Sequence, residues 1–323
     1  MRSSGDLPSQ ERVRDEFLGL LDLKAPGLLF YSPFSFLHKA DGNELCRKTF
    51  TDPLKREITG ESSVISAIDI EGRRTYFVWR ILPWDSAYFN RKIIRIDFIL
   101  PDHDSSDIIG RAVSRFTGEF AGERDYIFIN IPCEDMNLIQ GLSRTGFRLV
   151  ETRLNYFFTA FDGAARPPVP VRRAGIKDIP VLRDIAMRMR NRYDRVHADP
   201  AFEPGVEDAY LGTFIEQSVK GFADMVIVPD LPGGEPFGFL AANNPEKVLS
   251  YNIAKLVLAA VDSRDHQGWL GHLLSGVIDE LRKQETDILT TITQASNRPA
   301  IRTWEKAGFK LGFVTHVYSY TQG

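Results

Sequence analysis

The chain of 323 residues predicts an α/β fold in two domains. Three observations predict it. Short runs with alternating apolar residues are interleaved with runs whose apolar residues recur at helical spacing. A Gly-, Ala- and Pro-rich stretch, "DGAARPPVPVRR", breaks this pattern in mid-chain and the pattern then restarts. The two halves also end alike, in "LIQGLSRTGFRLVETRLNYFF" and "AIRTWEKAGFKLGFVTHVYSY". Each ending reads as helix, Gly-Phe, then a long strand. Gly146 and Gly308 are expected to end their helices in a left-handed turn, and Phe147 and Phe309 to drop into the core.

Composition narrows the partners. Hydrophobic content of 43% and charged content of 26% are those of a chain that folds over most of its length. A formal charge of −3 gives no general attraction to nucleic acid or to anionic membranes, so an anionic ligand has to be held by local geometry. Cys46 and Cys133, the two cysteines, lie far apart and fit a reducing compartment. No cluster of His, Cys and carboxylates has metal-ligand spacing, so no metal is expected. The polar start, "MRSSGDLPSQERVRDEF", carries no apolar signal run, and no later stretch reaches membrane-spanning length. The expectation is a cytoplasmic protein with a small-molecule partner and neither nucleic acid nor membrane; a homodimer is compatible with this.

The elements follow in order. Residues 1 to about 12 read as frayed. "ERVRDEFLGLLDL" has helical spacing. "SVISAIDIEG" and "RRTYFVWRIL" are strands turning at Glu71-Gly72. Then come "RKIIRIDFIL", a strand; "DSSDIIGRAVSRFTGEFA", a capped amphipathic helix; and "DYIFINI", a strand. "CEDMNLIQGLSRTGF" is a helix and "FRLVETRLNYFFTAF" a long strand. Trp84 and Phe89 read as core, and Arg172 and Arg173 as solvated linker charges.

Beyond the linker, "VPVRRA" is a strand. Asp178 precedes a helix as its expected N-cap, with Pro180 in the first turn. "GVEDAYLGTFIEQSVKG" is a second helix. "DMVIVPD", "PFGFLAANN" and "IAKLVLAAV" are strands. "GWLGHLLSGVIDELRKQ" is a helix with Leu273, Leu274, Val277, Ile278 and Leu281 on one stripe. "DILTTIT", "NRPAIRTWEKAG" and "FKLGFVTHVYSY" close the chain as strand, helix, strand.

This order and the "ASNRPAIRTWEKAGF" ending resemble the GNAT superfamily, the Gcn5-related N-acetyltransferases. The C-terminal half covers the whole family order from Val171 to Tyr320. Three stretches more narrowly resemble the TDP-fucosamine (TDP-4-amino-4,6-dideoxygalactose) N-acetyltransferase family: "LPWDSAYFNRKIIRI", "LIQGLSRTGFRLVETRLNYFF" and "IKDIPVLRDIA" with the following "YDRVHADPAF". The resemblance implies two tandem GNAT-like domains, each a mixed, mostly antiparallel sheet flanked by helices, the C-terminal one complete and the N-terminal one degenerate. The expected division is an extension over 1–75, a degenerate domain over 76–162, a linker over 163–170 and the acetyltransferase domain over 171–323.

The same resemblance implies acetyl-CoA as cofactor. Its pyrophosphate loop falls on His266, Gln267, Gly268, Trp269, Leu270 and Gly271, followed by His272, with Trp269 where the family has glycine. Backbone N–H groups and the helix dipole hold the anion in such a loop. The preceding strand is expected to splay and to offer backbone donors at Leu258, Ala259, Ala260 and Val261, which need no reorganisation as charge develops. Asn297 is an N-cap on its own residues; the resemblance adds a contact with the cofactor arm. Trp304 occupies the position of the family's tyrosine acid. An indole N–H has no useful acidity, so no acid is expected there. Candidate bases are His197 and Asp199, which also read as surface-loop and turn residues. Arg192 and Tyr193 are candidate contacts for a sugar or phosphate.

Three functions are compatible with these residues. The first is an acetyl-CoA-dependent N-acetyltransferase acting by direct attack of a primary amine, the acceptor being a nucleotide-linked amino sugar. The second is a catalytically silent GNAT-fold module binding CoA or another ligand. The third is an acyltransferase for longer acyl chains or for peptide or antibiotic amines.

Overall fold

The computed structural model describes residues 10–161, 169–189, 192–203, 205–262, 266 and 268–322. Most of the expected linker and Gln267 lie outside them. The chain divides into two compact units: unit 1 is Met1–Val150 with Val314–Gly323, and unit 2 is Glu151–Phe313.

Unit 1 opens with α1 (Gln10–Lys24), then α2 (Gly42–Cys46) and α3 (Asp52–Thr59). The sequence reading found α1 but neither of the next two. Asp41, whose side chain accepts from Glu44 N, and Pro53 in the first turn of α3 are the start signals that mark them. Strands β1 (Val64–Ile70) and β2 (Arg73–Ile81) form the expected hairpin, with Glu71 and Gly72 both at positive φ. After α4 (Pro83–Tyr88) come β3 (Ile93–Pro101), α5 (Ser106–Phe120), β4 (Tyr126–Pro132) and α6 (Met136–Leu142). Trp84 is not core: it is 48% exposed and stacks on Tyr88. Phe89 is only half-buried.

β5 (Arg148–Phe158) leads into unit 2, which continues with β6 (Val171–Arg173), α7 (Ile179–Arg188), α8 (Arg195–Ala198) and α9 (Val206–Gln217). Then follow β7 (Met225–Pro229), β8 (Gly238–Val248), β9 (Tyr251–Val261), α10 (Trp269–Arg282), β10 (Ile288–Gln294) and α11 (Arg298–Lys306). The last strand, β11 (Lys310–Thr321), starts in unit 2 and ends in unit 1.

Strand order is β1-β2-β3-β4-β11 through unit 1 and β5-β10-β9-β8-β7-β6 through unit 2. Among the described residues each unit has one parallel pair, β3–β4 or β9–β10, flanked by antiparallel pairs. In unit 1, Phe77, Ile94, Phe116 and Ile127 form a core of sheet against α5, and α1 adds Phe17 and Leu21 to Tyr76 and Phe98. In unit 2 the apolar stripe of α10 packs on Leu240, Ala254 and Leu289.

Two local expectations are corrected. Arg172 is not a loose linker charge: it lies in β6 and grips both Asp178 oxygens, at 2.7 and 2.9 Å. Asp178 makes no side-chain cap on α7; its carboxylate takes Arg172 and the Gly175 N–H instead. Arg173, by contrast, is exposed as expected, though it meets Glu280 at 3.4 Å. The two helix-ending glycines also differ in their reasons. Gly308 is left-handed at φ 92, as expected, whereas Gly146 is not; a Cβ there would stand 3.0 Å from the Tyr320 ring. Close approach, not backbone handedness, explains Gly146.

Candidate active site

The parallel pair of unit 2 is short. β9 and β10 are in register at Ile253–Ile288, Ala254–Leu289 and Lys255–Thr290, and among the described residues their pairing stops there. Both strands run on, to Val261 and Gln294. On the other side of β9, Ala241 faces Leu258 while Ala242 faces Leu256, so Val257 is an extra residue. Such a bulge bends the strand that carries it and turns it from its neighbour.

The bend leaves backbone groups of β9 facing the gap. Asp262 N donates to Phe237 O at 2.8 Å. Alternation back along the antiparallel ladder turns the N–H groups of Ala260 and Leu258 toward β8, and those of Ala259 and Val261 toward the opened side.

The opening is a cleft of about 1210 Å³. Leu258, Ala259, Ala260, Val261, His266, Gly268, Leu270, Asn297, Trp304, Arg192 and Tyr193 all line it. Trp269, Gly271 and His272 do not. Gly268 caps α10 in the left-handed region, at φ 88, which only glycine adopts freely. Among the described residues, a Cβ on Gly268 or Gly271 would meet nothing within 4 Å. The Trp269 ring is held edge-on between Phe237 at 4.8 Å and His272 at 5.3 Å. His266 stacks on the same Phe237, at 3.5 Å.

Asn297 caps α11, its Oδ1 accepting from Ala300 N. Trp304, in the last turn of that helix, is 4% exposed and packs on Phe309. Its Nε1 is buried and, among the described residues, has no hydrogen-bond partner. An unsatisfied buried donor costs about 1–3 kcal/mol, a cost that a ligand acceptor removes.

The two candidate bases are not on the cleft. His197 has a buried side chain, with Nδ1 2.9 Å from each oxygen of Asp194. Asp199 is buried and accepts from Ala201 N. The carboxylate that does line the cleft is Asp194, which also caps α8 through Val196 N and His197 N.

The sequence reading missed a second group. Glu151 is 3% exposed and accepts from Arg195 N, Arg153 and Gln294. It therefore ties the start of α8 to the end of β10. A charged residue in an alternating strand reads as solvent-facing, so no local signal marks it.

No family model and no curated protein sequence matches this chain. Solved structures do match it. A GCN5-related N-acetyltransferase from Sphaerobacter thermophilus aligns over 97% of this chain and 93% of its own, at 12% identity and TM-score 0.56. A tandem GNAT protein from the clavulanic acid biosynthesis pathway, solved without AcCoA, aligns over 98% and 96%, at 15% identity and TM-score 0.51. A GNAT-family acetyltransferase from Colwellia psychrerythraea aligns over 94% and 96%, at 12% identity and TM-score 0.50. The class of fold is thus GNAT. More particularly, it is the tandem form, with two GNAT-like halves in one chain.

Proposed function

We propose that the chain is an acetyl-CoA-dependent N-acetyltransferase acting on a primary amine, with nucleotide-linked amino sugars as the acceptor class. The observation that carries this reading is the splay of β9 from β10 at the Val257 bulge, beside a glycine-capped helix N-terminus. Acetyl-CoA, when bound, supplies an acyl group already activated as a thioester. The residues present fit it. Gly268 and the start of α10 leave room and a positive dipole end for its pyrophosphate. Ala259 and Val261 turn N–H donors to the side of an acyl oxygen. Asn297 lines the same cleft, and the Trp304 N–H lacks a partner among the described residues.

The amine would attack the acyl carbon directly, forming the C–N bond as the C–S bond breaks and CoA leaves as the thiolate, and Asp194 would take the proton from nitrogen. A carboxylate on the cleft wall both attracts an ammonium and accepts its proton, and His197 holds Asp194 in place. Arg192 and Arg298, also on the wall, suit an acceptor that carries phosphate. The narrower acceptor class rests on the three stretches that resemble the TDP-fucosamine acetyltransferases.

Calorimetric titration with acetyl-CoA, then thiol release with amino-sugar nucleotides, tests the reading. Micromolar binding and turnover are expected. Asp194→Asn is expected to lower kcat/KM by about 100-fold or more while acetyl-CoA affinity stays unchanged. Binding without turnover on any amine would favour a silent regulatory module, and no binding at all would overturn the proposal.

A further inference from the structure

Unit 1 repeats the construction of the cleft. β3 and β4 are in parallel register from Ile93–Tyr126 to Ile96–Ile129, and among the described residues the register goes no further. β3 carries its own bulge: Val78 faces Phe98 while Trp79 faces Ile96, so Asp97 is the extra residue. The helix after β4 is capped by Asp135, whose Oδ1 accepts from Leu138 N. Asp135 stands as far ahead of Gly146 as Asn297 stands ahead of Gly308. The splay, the bulge and the cap thus all occur twice.

What meets the gap differs. In unit 2 it is open. In unit 1 a turn from ahead of β1, Leu29–Tyr31, reaches it. The Tyr31 hydroxyl donates to Asp135 Oδ2 at 2.6 Å, on the cap side. The Tyr31 ring lies edge-to-face with Phe98, just past the bulge, at 4.8 Å, and stacks on Phe50 at 5.1 Å. Ser32 and Thr49 hydroxyls, 2.7 Å apart, fasten the two stretches that supply Tyr31 and Phe50. Tyr31 therefore touches the bulged strand on one side and the helix cap on the other.

We infer that Tyr31 and its turn fill, in unit 1, the groove that takes a ligand's arm in unit 2, so that the chain has one ligand site and not two. The identity of that ligand rests on the proposed function; the filling of the unit 1 groove does not. The segment ahead of β1 thereby has a role, as an internal occupant of a second, latent groove.

Two measurements test this. Titration of the wild-type chain with acetyl-CoA, read with amide exchange, is expected to give one site, with protection at β9 and α11. Two sites, or protection at β3 and α6, would overturn the inference. No binding would count against the proposed function alone. The second measurement needs no cofactor. Tyr31→Ala is expected to create binding of the apolar dye ANS, with faster exchange confined to β3 and α6, while Tyr31→Phe, which keeps the ring, creates none. Equal ANS binding by all three chains, with circular dichroism showing them folded, would overturn the inference. If Tyr31→Ala fails to fold, Tyr31→Leu, which empties part of the groove, takes its place in the same comparison.

Discussion

The Tyr31 hydroxyl donates a 2.6 Å hydrogen bond to Asp135 Oδ2, so a residue from ahead of the first strand completes the cap of α6. Burial, then the Asp135 charge, hold the phenol well above its ordinary value of 10.0. The folded chain keeps the proton that the unfolded chain loses above about pH 10. Stability from this group is therefore full below that pH and falls as pH rises. Tyr31→Phe is expected to cost about 1 kcal/mol near neutral pH and to flatten the alkaline slope. Urea melts at about pH 8 and about pH 10.5 would show both effects.

The grip of Arg172 on Asp178 gives a second prediction, of opposite sign in pH. The Arg172 hydrogen bonds are the main reason that Asp178 titrates below its ordinary 3.8, against the opposing effect of burial. This stabilisation is present above that value and is lost as pH falls through the lower, folded-state one. Arg172→Ala should cost about 1–3 kcal/mol at neutral pH, because it leaves a buried carboxylate with only the Gly175 N–H. Thermal melts in acid should show a shallower pH dependence for the variant than for the wild type.

On the proposed function, an indole at position 304 would offer no acid to a departing thiolate, and the rate is expected to show no alkaline falling limb from this residue. Trp304→Tyr should raise the single-turnover rate by about 10- to 100-fold and introduce such a limb. It should also lower the melting temperature, since a smaller ring leaves space beside Phe309. An unchanged rate would mean that departure of the thiolate is not limiting.

Glu151 is expected to act on the acceptor and not on the cofactor. It bonds Arg195 N at 3.2 Å and Gln294 at 2.8 Å, away from the β9 and α10 groups proposed to hold acetyl-CoA. Glu151→Ala should raise KM for the amine severalfold and leave acetyl-CoA affinity near wild type. It should also cost about 2–4 kcal/mol in stability, through the buried donors left without an acceptor. Initial rates at varied amine concentration, alongside melts, separate the two effects.

Long periodic segments were legible in the sequence. The stripe of α10, the β1–β2 turn and the Asn297 cap follow from local residue types alone. The bulge at Val257 was not legible, because an apolar strand looks the same with or without an unpaired residue. Nor was the burial of His197 and Asp199, since "VHADP" reads locally as a turn and its burial depends on what packs over it. Arg172 misled for the same reason: its partner, only six residues away, was read as a helix cap.

β11 follows unit 2 in the chain yet pairs with β4, from Thr315–Pro132 to Thr321–Tyr126. During synthesis, then, the edge of β4 stays bare until nearly the whole of unit 2 has left the ribosome. That edge reads "YIFINIP", a strongly apolar run of the kind that recruits stray strands. The sheet of unit 1 cannot close ahead of unit 2, and the nascent chain has to be kept from sticking while the whole stretch between Pro132 and Thr315 is made.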